Sequence, residues 1–296
     1  SHARTERPNT INLFASKKNS APPRTMRVLL RSARLILPVT DTLHRRSPIA
    51  DLSHAQPIGH RRRIGVIVPS SNTVNEAEFG RMAPDGVTFH FTRSPLHEDP
   101  SHNDFKDMLD SVSDAVGNLV LANVDALAFG CTSDSMACPA DRLIGTMERE
   151  SGGKPSVSTA GSILKALDAL SITKVSMATP YIQATNEHEK HFLNGHGIKV
   201  VAMAGLGLNT GWEGIQKMSR VSPAKVFEHA KSVDRPDSQA ILICCTDFNT
   251  LDVIEPLEAE LGKPVISSNT ASFWASLRAA GIDDKIEGYG RLLREH

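Results

Sequence analysis

Short apolar runs alternate with longer amphipathic segments from Arg63 onwards. Uninterrupted apolar runs are typical of buried parallel strands, and the segments between them have the apolar spacing of helices. The pattern predicts strands over residues 64–68, 87–91, 126–129, 156–158, 175–178, 199–204, 240–243 and 265–267. It predicts helices over residues 75–81, 105–121, 141–150, 162–170, 182–195, 223–231, 253–261 and 271–280. This alternation predicts an α/β fold built on parallel sheets.

The pattern also repeats within the chain. Three pairs of segments show the repeat: residues 63–69 and 174–180, residues 154–158 and 263–267, and the dipeptides Cys131-Thr132 and Cys245-Thr246. The members of these pairs lie 111, 109 and 114 residues apart, respectively. Such similar offsets indicate duplicated units. We therefore predict two pseudo-symmetric domains, each a four-stranded parallel sheet flanked by helices, with the active site in the cleft between them.

The predicted boundaries are 1–62 for an extension, 63–173 for the first domain, completed by 281–296, and 174–280 for the second. Residues 1–60 contain ten Lys or Arg, three Asp or Glu and several prolines. That composition predicts a disordered basic extension. A basic amphipathic stretch at 27–37 also resembles an organelle-targeting peptide, which remains an alternative.

Charge and cysteine usage narrow the class of protein. Outside residues 1–60 the chain carries 23 basic and 30 acidic side chains, which gives no basic surface for nucleic acid. No apolar run is long enough for a membrane span. The four cysteines lack metal-finger spacing and predict reduced thiols in a cytoplasmic protein. Phosphate-loop and dinucleotide-binding glycine motifs are also missing, so we predict neither a cofactor nor a metal.

The candidate chemistry lies in the two Cys-Thr dipeptides. Cys131 and Cys245 each follow an apolar run that predicts a buried strand, and the carboxyl ends of parallel strands are where ligands bind. Two thiols in equivalent positions predict one site built from both halves, with each thiol a nucleophile or a proton carrier. The neighbouring helix start could lower a thiol pKa. A packing role is the alternative, and it is our interpretation of Cys138 and Cys244.

Other loops at the same predicted edge carry polar donors. Asn72, in the loop after the first strand, could donate to a carboxylate near a helix start, although a simple helix cap explains it equally well. Tyr181 occupies the corresponding loop of the second half and could donate its phenol. His188 and His191 share one helix face, which we interpret as solvent-exposed rather than metal-binding.

Several of these segments resemble maleate cis-trans isomerase of the aspartate/glutamate racemase superfamily, to which arylmalonate decarboxylase is related. The matching segments are IGVIVPSSNT at 64–73, GCTS at 130–133, ATPY at 178–181 and CT at 245–246. The resemblance implies a cofactor-independent isomerase in which Cys131 adds to the double bond of maleate and Cys245 carries the proton. It implies that a small carboxylate is bound by Asn72, Thr132, Ser133, Tyr181, Asn209 and Thr246. We predict Ser71 and Asp247 as further substrate-binding residues. The resemblance leaves open whether the protein forms a homo-oligomer.

Two residues depart from the pattern that the resemblance leads us to expect. Asp134 and Asp247 lie beside the two cysteines, where they would disfavour a dianion and could instead bind an ammonium group. An amino-acid racemase or an enzyme of ectoine degradation, with the thiols as an acid/base pair, is therefore an alternative. A metabolite-binding protein without catalytic activity is another.

Overall fold

The computed structural model describes residues 55–97 and 99–296. The first sheet has the strand order β2-β1-β3-β4, and the second has the equivalent order β6-β5-β7-β8, with every pair parallel. The strands are β1 Arg62–Pro69, β2 Val87–Ser94, β3 Ala126–Phe129, β4 Ser156–Ser158, β5 Lys174–Thr179, β6 Lys199–Gly205, β7 Ala240–Ile243 and β8 Val265–Ser267. The predicted fold class, two pseudo-symmetric α/β halves, is confirmed.

Helices cover both faces of the sheets. They are α1 Asn75–Met82, α2 Lys106–Leu121, α3 Thr132–Ala137, α4 Ala140–Glu150, α5 Thr159–Ala169, α6 Gln183–Gly195, α7 Gly211–Met218, α8 Pro223–Ser232, α9 Ile254–Leu261, α10 Ser268–Ala279 and α11 Arg291–Glu295. The sequence pattern missed α3, α7 and α11. Helices α3 and α11 have only six and five residues, and α7 is interrupted by Gly211 and Gly214, so their apolar periodicity is too brief or too broken to recognise.

Helices α5 and α10 pack across the halves. Helix α5 follows the first sheet, but Ile163 and Leu167 lie in the apolar core that surrounds Val175 and Met177 of the second sheet. Helix α10 follows the second sheet, and its side chains enter the core of the first. The halves therefore share their cores, while residues 63–173 and 174–280 as separate domains remain a prediction.

Phe273 anchors α10 against the first sheet. Its ring meets the ring of Phe79 on α1 with centroids 5.3 Å apart at 83°, and Phe79 makes further edge contacts with Phe89 and Phe91 on β2. Edge-to-face pairs of this kind each contribute about 0.5–1.5 kcal/mol beyond the burial of their surface. The cluster fixes α10, and with it the start of that helix at the cleft.

The chain ends of the described part also lie on the first half. Strand β1 begins at Arg62, one residue before the predicted domain start, and Arg61 pairs with Asp284 at 2.7 Å. Ile282 and Leu293 lie in the core of the first sheet. The predicted targeting stretch lies outside the described residues, and so does the predicted disordered extension as far as position 54. Within the described ranges, every helix is too short or too polar to span a bilayer.

Candidate active site

The loops that follow β1, β3, β5 and β7 surround one cleft of about 850 Å³. These four strands are the central pairs of the two sheets, so their carboxyl ends meet at the interface of the halves. All ten residues that the sequence predicted for the site line this cleft: Ser71, Asn72, Cys131, Thr132, Ser133, Tyr181, Asn209, Cys245, Thr246 and Asp247. Their roles towards a substrate stay predictions.

Cys131 lies at the start of α3 in extended backbone, with φ −134°. Its thiol is almost buried and lies 3.8 Å from the hydroxyl of Ser133. Burial, followed by the nearby Asp134, raises the pKa of Cys131 well above its usual value. The expectation that the helix start would lower this pKa is wrong, because α3 has only six residues and the desolvation of a buried thiolate outweighs its contribution.

Cys245 is held in a different backbone conformation. Its φ of 95° is unusual for a residue with a side chain, and its N–H donates to the hydroxyl of Ser268 at 3.1 Å. The N–H of Asp247 donates to the Cys245 sulfur at 3.4 Å. Burial, and then the Asp247 charge, raises the pKa of Cys245 to about 12. With this pKa the thiol is protonated near neutral pH.

Each Cys-Thr turn is hydrogen-bonded to the opposite half of the molecule. The hydroxyl of Thr246 donates to the carbonyl of Gly130 at 2.8 Å, directly beside Cys131. The hydroxyl of Thr132 donates to Ser268 at 2.9 Å, and Ser268 also accepts the N–H of Cys245. These buried bonds fix the two thiols relative to each other.

Asn72 connects the same network to the first helix. Its side-chain oxygen accepts the N–H groups of Val74 and Asn75 at 3.1 and 3.0 Å, and its amide nitrogen donates to Thr246 at 3.0 Å. The structure is therefore consistent with both sequence interpretations of Asn72, because its side chain caps the start of α1 and also lines the cleft. One amide hydrogen of Asn72 remains for another acceptor.

Asn209 and Tyr181 form the second-half wall. The side-chain oxygen of Asn209 accepts the N–H of Ile182 at 2.6 Å, and its nitrogen donates to Thr185 at 2.9 Å. Asn209 thus holds the loop after β5 in place. Tyr181 is almost buried, and burial followed by the charge of Cys245 raises its pKa well above the usual value. Cys131 acts on the same phenol, so Tyr181 is electrostatically coupled to both thiols.

The cleft contains acids but, among its described lining residues, no lysine or arginine. Burial raises the pKa of Asp134, an increase that the Cys131 side chain and then His97 oppose. Asp247 accepts the N–H of Thr73 at 2.8 Å through one oxygen, and its other oxygen is buried without a partner. Burial raises its pKa to about 6. An anionic ligand in this cleft would meet neutral donors and the imidazoles of His97 and His188, with no lysine or arginine among these lining residues.

An apolar wall completes the cleft, and sequence reasoning missed it. Its side chains come from the loop before α2 and from α7: Leu96, Phe105, Trp212, Ile215 and Met218. Trp212 is 57% exposed, and a tryptophan in a short glycine-flanked segment was the available signal. His188 also lines the cleft, although its side chain is exposed as expected. No group of three or more His, Cys, Asp or Glu in the described residues could hold a metal ion.

Comparison with known proteins identifies related enzymes. The arylmalonate decarboxylase family profile matches residues 64–293. Arylmalonate decarboxylase of Bordetella bronchiseptica is 32% identical over 243 residues, which cover 78% of this chain and 96% of that protein. A cysteine-to-alanine variant of maleate isomerase Iso from Pseudomonas putida S16, solved with maleate, has a TM-score of 0.71 and 26% identity, covering 79% and 97% of the two chains.

A third similar protein shows a reaction intermediate. A cysteine-to-serine variant of Nocardia farcinica maleate cis-trans isomerase, solved with a covalently bound succinylcysteine intermediate, has a TM-score of 0.71 and 26% identity. The alignment covers 79% of this chain and 99% of that one. The predicted resemblance to maleate isomerase and arylmalonate decarboxylase is confirmed, and with it the prediction of an enzyme of this kind.

Proposed function

The chain belongs to the arylmalonate decarboxylase family, and within that family we propose that it is a cofactor-independent cis–trans isomerase of maleate or a related small dicarboxylate. The observation that carries the proposal is the pair of thiols, Cys131 and Cys245, at equivalent strand ends of one cleft. The succinylcysteine of the Nocardia farcinica relative supports a covalent route.

The first step makes a carbon–sulfur bond. The Cys131 thiol passes its proton to the adjacent Asp134 carboxylate, and the sulfur electron pair attacks one alkene carbon. The π electrons move to the other alkene carbon, where the attached carboxylate takes up the charge as an enolate. Cys245 then donates its proton to that carbon and becomes a thiolate, which leaves a succinyl thioether on Cys131.

The second step reverses these transfers after a rotation. The former double bond is now single, so its two carboxylates can turn to the opposite arrangement. The Cys245 thiolate removes a proton, the double bond re-forms in the trans geometry, and the carbon–sulfur bond breaks. Cys131 recovers its proton from Asp134, so atoms and charges balance over the cycle.

Neutral donors hold the carboxylates in this scheme. The first N–H groups of a helix have no acceptor within the helix, which leaves those of Thr132 and Ser133 at the start of α3 for a substrate oxygen. The hydroxyls of Ser71, Ser133 and Tyr181 line the same cleft. Such oriented donors stabilise an enolate when the cleft excludes water.

The test follows conversion of maleate to fumarate by proton NMR. Cys131→Ser should lower the rate roughly 10⁴-fold or more, since the nucleophile is lost, and Cys245→Ser should lower it about 10²- to 10⁴-fold. Cys138→Ser is the matched control, because that buried thiol does not line the cleft, and its rate should stay near wild type. Turnover that survives in Cys131→Ser would contradict the proposal.

The apolar wall favours a second candidate, decarboxylation of a malonate that carries an apolar substituent. Carbon dioxide would leave with its bonding electrons remaining on the substrate, and Cys245 would protonate the resulting carbanion. This reaction does not need Cys131. Phenylmalonate turnover that persists in Cys131→Ser and disappears in Cys245→Ser would favour this candidate over the isomerase.

A further inference from the structure

Helix α6 carries a carboxyl group that the proposed reaction does not use. Glu189 is fully buried, and neither carboxyl oxygen accepts a hydrogen bond from an N–H or O–H group of the described residues. Buried carboxyl groups are rarely left in this state, since an unsatisfied polar group loses its hydration without compensation. The position of Glu189 therefore calls for a functional reason.

The sequence repeat provides a direct comparison. The offset of 111 residues pairs Glu189 with Glu78 on α1, which is also buried. The Glu78 carboxylate accepts the N–H groups of Thr250 and Leu251 at 2.7 and 2.9 Å and the amide of Asn269 at 2.7 Å. Glu78 is thus a structural link between the halves.

The second half has lost those partners but has kept the acid. The repeat offsets place Met136 where the other half has Thr250, and Ala160 where it has Asn269. Both replacements are buried apolar side chains of the second core. If Glu189 were only a former structural link, the desolvation of its carboxyl group would destabilise the fold with no compensating hydrogen bonds.

The groups that interact with Glu189 belong to the active site or adjoin it. Its charge acts on Cys244 and Cys245 in the turn after β7, and on Tyr181 in the turn after β5. Helix α6, which carries Glu189, packs against β6 and α3. The charged residues of those two elements are Lys199 and Asp134, respectively. Burial raises the pKa of Glu189 to about 8, and only the Cys244 thiol opposes that increase.

We propose that Glu189 is a positioning residue for the second thiol. As a neutral acid it leaves Cys245 able to take up negative charge, and as a carboxylate it opposes that charge. The inference rests on the proposed function, in which Cys245 becomes a thiolate during every turnover. It adds a pH-dependent control that the mechanism itself does not contain.

The sign of the pH effect follows from the two states. Below about pH 8 Glu189 is neutral, and Cys245 ionises against its own burial and Asp247 only. Above that pH the ionised Glu189 adds a second negative charge in a region of low dielectric, so thiolate formation at Cys245 becomes harder. Glu189→Gln keeps the shape of the side chain and removes this charge.

The experiment measures alkylation of Cys245 by iodoacetamide, resolved from Cys244 by tandem mass spectrometry, in wild type and Glu189→Gln. The rate ratio of variant to wild type should be near one at about pH 7 and should rise to about tenfold at about pH 9.5. Alkylation needs no substrate, so the result stands whether or not maleate is turned over. A ratio that stays constant across this range would overturn the proposal.

Two further measurements keep the test decisive. Glu78→Gln is the matched control: its Cys245 alkylation ratio should not change with pH. If Glu189→Gln does not fold, the wild-type profile decides. An alkylation rate that flattens above about pH 8 supports the proposal, and a rate that climbs as for a single ionisation through that pH overturns it.

Discussion

A Cys-Thr dipeptide follows the third strand of each half, yet the two cysteines differ in backbone conformation and in hydrogen bonding. Cys131 has extended backbone and precedes a short helix, whereas Cys245 has a φ of 95° and receives the N–H of Asp247 at its sulfur. The strand order is equivalent in the two halves, whereas the turns that carry the thiols differ. A duplicated framework can therefore bring two identical groups to one cleft while the turns give them different surroundings.

The same contrast extends to the buried glutamates. Glu78 is satisfied by donors from the other half, and its counterpart Glu189 has no N–H or O–H donor among the described residues. One half has retained the acid for structure. In the other half its charge acts on Cys244 and Cys245, so the difference between the halves is electrostatic as well as conformational.

The largest expected stability effect concerns the links between the halves. Thr246→Val removes the hydroxyl that donates to Gly130 and accepts from Asn72, which leaves two buried groups unsatisfied. We expect the free energy of unfolding to fall by about 2–3 kcal/mol. Urea titration followed by circular dichroism measures this loss.

The matched variant on the other side is Thr132→Val. It removes one donor to Ser268, which still accepts the N–H of Cys245, so the loss should be about 1 kcal/mol. Equal losses for the two variants would contradict the asymmetry of the links.

A smaller effect separates the two glutamates. In Glu78→Gln the new amide group would face the amide donor of Asn269, and we expect a loss of about 2 kcal/mol in the free energy of unfolding near neutral pH. Glu189→Gln removes no hydrogen bond from an N–H or O–H group and should stay within about 0.5 kcal/mol of wild type. A comparable loss at both positions would show that Glu189 has a structural partner after all.

The strands and their repeat could be predicted from the sequence because buried parallel strands form short, continuous apolar runs. All ten candidate site residues line one cleft for the same reason, since equivalent strand ends meet at one edge. The exchange of α5 and α10 could not be predicted, because an apolar face does not specify which of two sheets it covers. The pKa of Cys131 was also inaccessible, since it depends on burial and on the placement of Asp134.

The apolar wall illustrates a different limit. Helix α7 is short and has two glycines, so neither its periodicity nor its propensity stands out from a loop. Its side chains form part of the site only because the fold brings them into the same cleft as Leu96 and Phe105. Substrate size is therefore a property of the assembled cleft.

The different tasks of the two thiols can be tested by trapping the adduct. Cys245→Ser protein is incubated with maleate, and intact and peptide mass spectrometry then locates any added mass. The account predicts a mass increase of one maleic acid on the peptide with Cys131, and none in the Cys131→Ser protein treated in the same way. An adduct on Cys138 or Cys244 instead would contradict it. So would turnover by the wild type with no adduct detectable on Cys131 in the wild type or in Cys245→Ser.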